Sequence, residues 1–586
     1  MLQTIRRRSL GVDVIAMLAM GTALGLGEYL AAILVAVMMA GGGALEAWAA
    51  ARAGRELSLL VARIPQVAHV AGPGGIREVP VDAVAAGDRV LVRTGEVLPV
   101  DGALLDVAAL LDESALTGEP LPVTHECGDE LRSGIVNAGV PFHVRALRPA
   151  SQSTYAGVVR LVQQAESRRA PFQRLADRYA GYLLPLTLGL AAIAWISSGD
   201  PVRALAVLVV ATPCPLILAA PVALVSGVSR AARRGVIVKG AEVIERLSSV
   251  RTVLFDKTGT LTHGRPAVVA VVAVAPHTEH DVLRVAASLD QFSVHGLAEA
   301  IVHHAEAVGL ELVAPTGAYE TPGRGISGMV DGRRVVVGQA EWSAAQLDEA
   351  AGPRLAQVDR QAGQAQVVVG VDGRLAGYIV MADHTRDDSA AVVARLRAAG
   401  VVHVWLVTGD REDVAAMVGR SSNVDRVYFD QSPEQKLAVV RDAGRAGGPV
   451  MMVGDGVNDA PALAAADVGI ALGAAGATVA SQTADAVVMV DRLGRVADVV
   501  EIARHTMGVA RQSVIAGMVM SLAAMVVAAF GALSPASGAV LQEGIDLAVI
   551  LNALRALRGP FRATPDQRHD RENPDRQSGT TLTPVI

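Results

Sequence analysis

One short stretch of the chain concentrates residues able to do covalent chemistry. Asp256-Lys257-Thr258-Gly259-Thr260-Leu261-Thr262 follows the apolar run from Val250 to Phe255. A β-branched and aromatic run of this length reads as a buried strand, so the Asp256 carboxylate falls at the strand's C-terminal end, where α/β sheets place their ligands. A carboxylate in that position can attack a phosphoryl group to give an aspartyl-phosphate. Lys257 and the small residues Thr258, Gly259 and Thr260 then offer charge, hydroxyls and backbone N–H groups to the transferred group. An isolated Asp-Lys pair is more often an ordinary turn, because Asp and Gly suit turns for local reasons; the intact heptad is not.

The heptad resembles the phosphorylation signature of P-type ATPases. The motifs that follow stand in the order found in that family: Thr408-Gly409-Asp410, then Lys436, then Gly454-Asp455-Gly456-Val457-Asn458-Asp459, with Thr117-Gly118-Glu119 upstream. The resemblance implies a nucleophile at Asp256 and a Mg²⁺ held by Asp256, Thr258 and Asp455, since hard carboxylate oxygens suit that ion. Lys436 would neutralise the transferred phosphate, Thr408 and Asn458 would donate hydrogen bonds to it, and Gly409, Asp410 and Asp459 would support this shell. Glu119, in the loop with Thr117 and Gly118, would orient the water that attacks the aspartyl-phosphate.

Composition sets the frame for this chemistry. With 586 residues the chain is too long for one core, and 51% hydrophobic and 19% charged residues describe a membrane protein with large soluble parts. The mean hydropathy of +0.39 agrees. A net charge of −6, with no basic patch, gives no reason to expect nucleic acid. Cys127 and Cys214 are the only cysteines, so there is neither a disulfide framework nor a CxxC metal-binding module.

Six apolar runs are candidates to cross a bilayer: 11–27, 29–50, 179–196, 203–225, 512–533 and 540–557. Arg6 to Arg8, Arg52, Arg55, Arg230, Arg233, Arg234, Lys239, Arg555 and Arg558 flank one end of each hairpin, which places the large loops and both termini in the cytoplasm and the protein, multi-pass, in the cell membrane. Arg203 is the exception. The expected fold is a multidomain membrane protein: an α-helical transmembrane bundle of six helices, a β-rich actuator domain, and an α/β haloacid-dehalogenase-like phosphorylation domain with an inserted α+β nucleotide-binding domain. The boundaries read 1–56 for the first hairpin, 57–150 for the actuator domain and 151–229 for a linker and second hairpin. The phosphorylation domain takes 230–267 and 376–505 around a nucleotide-binding insertion at 268–375; a third hairpin takes 506–558 and a disordered tail 559–586. No helix pair or metal-binding domain precedes the first hairpin, which leaves open a branch without them or an internal start.

Two features of the insertion point to ATP. Ser293-Val294-His295-Gly296 and the glycines Gly323, Gly325 and Gly328 of a GxGxxG stretch are similar to the nucleotide domain of heavy-metal ATPases, where the His contacts adenine and the glycines let backbone approach phosphates. Taken alone, a GxGxxG is weak and a lone His is usually structural. The chain departs from the family at Gly296, where Pro is usual.

The fourth apolar run contains Thr212-Pro213-Cys214-Pro215-Leu216, whose prolines remove backbone donors around a thiol. Cys214 resembles the transport ligand of the heavy-metal branch, with Thr-Pro-Cys-Pro-Leu where monovalent copper pumps have Cys-Pro-Cys. The sixth run carries Gln542, Glu543 and Asp546, and ionisable groups inside an apolar span are functional by default. Glu543 and Asp546, three apart, can share a helix face. Met17, Met20, Met38 and Met39 read as packing residues. One thiolate among carboxylate and amide oxygens suits a divalent transition metal of the zinc, cadmium, cobalt or nickel class. The expected partners are that cation, ATP and the lipid bilayer, with the chain a monomer. Two other readings stay open: a degenerate membrane protein that binds metal or nucleotide without pumping, and a potassium-type ATPase subunit.

Overall fold

Val236–Val238, Thr252–Asp256, Val450–Gly454, Val468–Leu472 and Ala486–Val488 are apolar almost throughout, and every residue in them is buried. Continuous rather than alternating apolarity marks strands covered on both faces, as in a parallel sheet flanked by helices. In the computed structural model these five runs join His403–Val407 and Arg426–Tyr428 in one seven-stranded sheet. The structure describes all residues except 1–12, 63, 64, 66, 73, 74, 114–121, 157, 158, 161–170, 212, 213, 294, 322, 323, 349–363, 456–458, 474–482 and 560–586. The chain divides into two units: Met1–Arg55, Pro171–Arg230 and His505–Ile586 form one, and Glu56–Ala170 with Ala231–Arg504 the other.

Within the second unit the strand order decides where a ligand can bind. Thr252–Asp256 lies in the middle, paired in parallel with His403–Val407 on one side and Val450–Gly454 on the other. The chain leaves this strand towards one edge, through His403–Val407 and Arg426–Tyr428, and later returns to its other side. That is a topological switch point, and the C-terminal end of the central strand opens into the crevice it creates. Burying each Val, Leu or Phe of this sheet contributes about 1.5–3 kcal/mol.

The insertion is a six-stranded sheet whose edge strand Thr262–Ala273 starts directly after the heptad's loop. It pairs antiparallel with Arg374–Thr385, Thr262 standing opposite Thr385, so the inserted sheet reaches beyond residues 268–375 at both ends. Helices Glu279–Asp290 and Gly296–Ala307 cover it through Val282, Leu289, Ile301 and Ala305.

Residues 67–146 form a six-stranded and a three-stranded sheet. Asp101, from the Pro99-Val100-Asp101-Gly102 turn, is buried there because its carboxylate accepts from the N–H and hydroxyl of both Ser133 and Thr154. The hairpin Ala108–Asp112/Val123–Glu126 brackets Thr117, Gly118 and Glu119, which lie outside the described residues.

The first unit has its polarity reversed. Its core is built from small residues such as Ala19, Ala23, Ala31, Ala191 and Ala528. Large apolar residues face outward instead, Ile196 at 83% and Phe530 at 79% exposure among them. A surface of that kind suits lipid, where small residues let helices approach and apolar side chains meet acyl chains. The expected count of six spans is not reproduced. Among the described residues only Gly494–Ala529, 36 residues long with an 18-residue stretch of mean hydropathy 1.9, is by itself long and apolar enough to cross a bilayer. The run 203–225 is divided between helices Pro201–Val210 and Cys214–Ala232. Ten residues rise only about 15 Å, and Pro215 cannot donate a backbone hydrogen bond back across the break. Arg203, the charge outside the flanking pattern, packs on Gly531: a Cβ there would lie 2.8 Å from the guanidinium carbon. That is just past the C-terminus of Gly494–Ala529, where unpaired carbonyls favour a cation.

Candidate active site

Asp256 ends its strand opposite Val407, which brings Thr408 and Asp455, each just beyond its own strand, to the same sheet edge. Lys436 reaches this edge by a different route. It comes from no strand end but lies in the first turn of helix Pro433–Gly447. That helix starts at a capping box, with Ser432 Oγ accepting from Gln435 N–H and Gln435 Oε1 accepting from Ser432 N–H, and Pro433 follows at its first position. The cap fixes the direction from which Lys436 enters.

The result is a buried charge cluster. Lys436 Nζ donates to Asp256 Oδ1 at 2.5 Å and to Asp459 Oδ1 at 2.8 Å. Burial pulls the ammonium's pKa down, but the Asp256 and Asp459 carboxylates more than offset this and leave it raised. Burial pushes the Asp256 carboxyl well above the ordinary carboxylate range, Asp459 and Asp455 add to the shift, and Lys436 opposes it. Two buried carboxylates against one ammonium, with Asp455 near Gly259, leave an excess of negative charge that a cation would offset. Asp459, expected only to support the site, is thus in direct contact with Lys436.

Gly259 makes room for the third carboxylate. Its φ of +67° lies in the left-handed region, and a Cβ there would come 2.8 Å from Asp455 Oδ2. Lys257 Nζ is 2.7 Å from Asp410 Oδ2, which also accepts from the Thr408 hydroxyl at 2.8 Å. Asp410 therefore holds two of the residues expected to meet the phosphate, while Gly409 comes within reach of the Gln431 carbonyl. Thr258 is exposed, and the Thr260 hydroxyl is buried without a hydrogen-bond partner. Asn458 lies outside the described residues.

A second concavity lies in the insertion, a cavity of about 200 Å³ lined by Asp290, Ser293, His295, Arg324, Gly325 and Gln339 among others. His295 caps helix Gly296–Ala307, its Nδ1 accepting from Leu297 N–H at 3.2 Å, which leaves the proton on Nε2. Gly296 is the first helical position, and a Cβ there would meet nothing within 4 Å. Gly325 lines the cavity and begins a strand; Gly328 is used for packing, its Cα face against Leu289 and Ala318; Gly323 is outside the described residues. Sequence reasoning missed Asp290, which is buried and has its carboxyl pushed up to about 7 by burial, with the charge of Glu320 adding to it. Its only local signal was an acidic residue at the end of an otherwise apolar helix face.

In the helical unit, Gln542 and Asp546 are buried and joined, Gln542 Nε2 donating to Asp546 Oδ1 at 3.0 Å, and Ser521 Oγ donates to Gln542 Oε1 at 3.3 Å. Glu543 points elsewhere: a Cβ on Gly41 would lie 3.8 Å from its Oε1, and its Oε2 is buried without a hydrogen-bond partner. The Glu543–Asp546 face expected from the spacing is therefore a Gln542–Asp546 face. Cys214 is described only as the first residue of its helix. Cys127 is exposed in the soluble unit. No group of three His, Cys, Asp or Glu residues comes together as a metal site among the described residues.

Known proteins resemble this chain along most of its length. The P-type ATPase actuator domain matches residues 62–163, and the haloacid dehalogenase-like hydrolases match residues 250–467. A probable copper-exporting P-type ATPase V of Mycobacterium tuberculosis (strain ATCC 25618 / H37Rv) is 38% identical over 526 residues, 88% of this chain and 68% of the relative. A zinc-exporting P-type ATPase of Mycobacterium marinum is 34% identical over 566 residues, 95% of this chain and 77% of the relative. A manganese-exporting P-type ATPase of Mycobacterium bovis is 36% identical over 484 residues, 82% and 67% of the two chains. The crystal structure of a zinc-transporting PIB-type ATPase in its E2.Pi state aligns with a TM-score of 0.66 at 32% identity, over 95% of this chain and 92% of that one.

Proposed function

The chain belongs to the heavy-metal P-type ATPases, and from that premise we propose that it uses ATP hydrolysis at Asp256 to export a divalent transition-metal cation. The observation that carries the reading is the buried Asp256–Lys436–Asp459 cluster at the switch point of the parallel sheet. It combines a nucleophile with a fixed cation where phosphate charge would build up.

In this reading an Asp256 carboxylate oxygen bonds to the γ-phosphorus of ATP as the bond to the ADP oxygen breaks. Lys436 stabilises charge on the transferred group, and Asp459 and Asp410 hold Lys436 and Lys257 in place. Asp256, Thr258 and Asp455 would hold Mg²⁺, which supplies positive charge to the phosphate oxygens and favours the ionised form of Asp256. Thr408, Gly409 and Asn458 would line the phosphate. The cavity with Asp290, His295 and Gly325 would take the nucleotide, with Gly323 and Gly328 shaping its wall. Glu119, in its Thr117-Gly118-Glu119 loop, would orient the hydrolytic water. The domain boundaries read from the sequence, with the inserted sheet widened to Thr262 and Thr385, six membrane spans, a cell-membrane location and a monomeric state complete the proposal.

For the cargo, the argument is ligand chemistry. Cys214 offers one soft donor, and Gln542, Glu543 and Asp546 offer oxygens, two of them carboxylates that offset a double charge. Similar proteins carry names of zinc, manganese and copper exporters, so the copper relative supports the competing reading of a monovalent cargo. The test is phosphoenzyme formation and ATP turnover in the purified full chain with each metal in turn. Divalent zinc, cadmium, cobalt or nickel should stimulate both, and Asp256→Asn should take no acid-stable, hydroxylamine-sensitive label. Normal labelling of that variant would remove Asp256 as nucleophile; best stimulation by monovalent copper or silver would overturn the divalent cargo.

A further inference from the structure

We propose that Arg386 is a positioning residue that ties the loop following Asp256 to the start of the long apolar helix, so that a change in that loop is transmitted to the helix. The inference rests on the pump reading above.

The loop that begins at Asp256 is closed at its far end by Thr262, whose hydroxyl donates to the Lys257 carbonyl at 3.0 Å and to Asp383 Oδ2 at 2.5 Å. Arg386 attaches to this closure: its N–H donates to the Leu261 carbonyl at 2.8 Å and its Nε to the Thr262 carbonyl at 3.3 Å. The other side of the guanidinium goes to Asp491, with Nη1 donating to the carbonyl at 3.2 Å and Nη2 to Oδ1. Three residues after Asp491, the helix Gly494–Ala529 begins. The same segment grips that helix again. Arg395, on helix Ser389–Ala398, donates to the Gly494 carbonyl at 3.4 Å, to Asp498 Oδ1 at 2.6 Å and to Glu501 Oε1 at 3.1 Å, and Arg495 pairs with Asp498 Oδ2 at 3.1 Å.

A guanidinium 5% exposed has no water to turn to, so moving either end costs a charge-assisted hydrogen bond. Its planar fork joins two carbonyls and one carboxylate at fixed angles, which a flexible ammonium cannot reproduce. Lys257, whose carbonyl accepts from the Thr262 hydroxyl, is in turn held by Asp410 at the phosphate edge. A displacement of the loop on phosphorylation therefore reaches Asp491 through one rigid side chain and the helix's first two turns through Arg395. The same helix continues to Ser521, which holds Gln542.

The experiment compares Arg386→Met, Arg386→Lys and Asp491→Asn with the unaltered full chain in lipid. The readouts are the thermal midpoint, labelling of Asp256 from ATP, and the ratio of turnover with the activating divalent metal to turnover without it. Expected is labelling within about threefold of the unaltered chain, with the metal-stimulation ratio reduced about tenfold in Arg386→Met, within the usual range of coupling between sites. Asp491→Asn should give a similar loss, and Arg386→Lys a partial one. A folded Arg386→Met that keeps the full ratio overturns the inference. So does a parallel fall of labelling, ratio and thermal midpoint in all three variants, which marks a purely structural residue. An unaltered chain that takes no label fails the pump reading itself, a result distinct from either.

Discussion

Lys436 does two jobs at once, because its ammonium pairs with both Asp256 and Asp459 and stands between the two carboxylates. Lys436→Met would leave two buried carboxylates facing each other with nothing to neutralise the incoming phosphate. The rate of Asp256 labelling, followed by rapid quench, should fall about 10²–10³-fold, the cost of losing a preorganised electrostatic partner. Labelling at an unchanged rate would show that Lys436 takes no part in transfer. Asp290 presents the opposite case, a carboxyl that the fold prefers neutral. Its pKa of about 7 lies above the ordinary carboxylate value of 3.8, so the folded chain binds the extra proton and stability falls as pH rises between those values. Above about 7 the cavity gains a charge beside Glu320, and an anionic nucleotide should bind more weakly; Asp290→Asn should flatten that dependence. Calorimetric titration of ATP across this range decides it, and a pH dependence unchanged in the variant would separate Asp290 from the nucleotide.

Turns and caps set the geometry at the next scale. Gly259 holds a left-handed conformation against Asp455, so Gly259→Ala combines backbone strain of about 1–2 kcal/mol with a displaced carboxylate. The Mg²⁺ concentration for half-maximal labelling should rise about fivefold or more, since a looser ligand set binds a hard cation less well. An unchanged Mg²⁺ requirement would put Asp455 outside the ion's shell. Part of this was readable in advance, since the strand ends come from short apolar runs. That Lys436 reaches the sheet edge from a helix is not legible in its motif, because what matters is where the helix points once it is packed. Hydropathy averages over the two helices within run 203–225 and reads them as one span, although the prolines around Cys214 already signalled lost backbone donors there.

At the scale of the molecule, the reversed polarity of the helical unit and its resemblance to metal exporters make Cys214 and Glu543 the residues to alter. Cys214→Ala and Glu543→Ala should each abolish metal-stimulated turnover, because a mixed site that loses its soft donor or a carboxylate no longer offsets the cation's dehydration. Full metal-stimulated turnover in Cys214→Ala would place the transport site elsewhere.

The sequence alone pointed to the family and set the order of the motifs, because each motif is a short run whose spacing is local. Tertiary structure decided which groups meet. Lys436 lies 180 residues from Asp256, Thr262 is 121 residues from Asp383, and Arg386 is 105 from Asp491. No periodicity encodes such pairs, since they exist only once the parallel sheet has brought its strand ends to one edge. The same holds for Asp290, whose raised carboxyl comes from burial and Glu320.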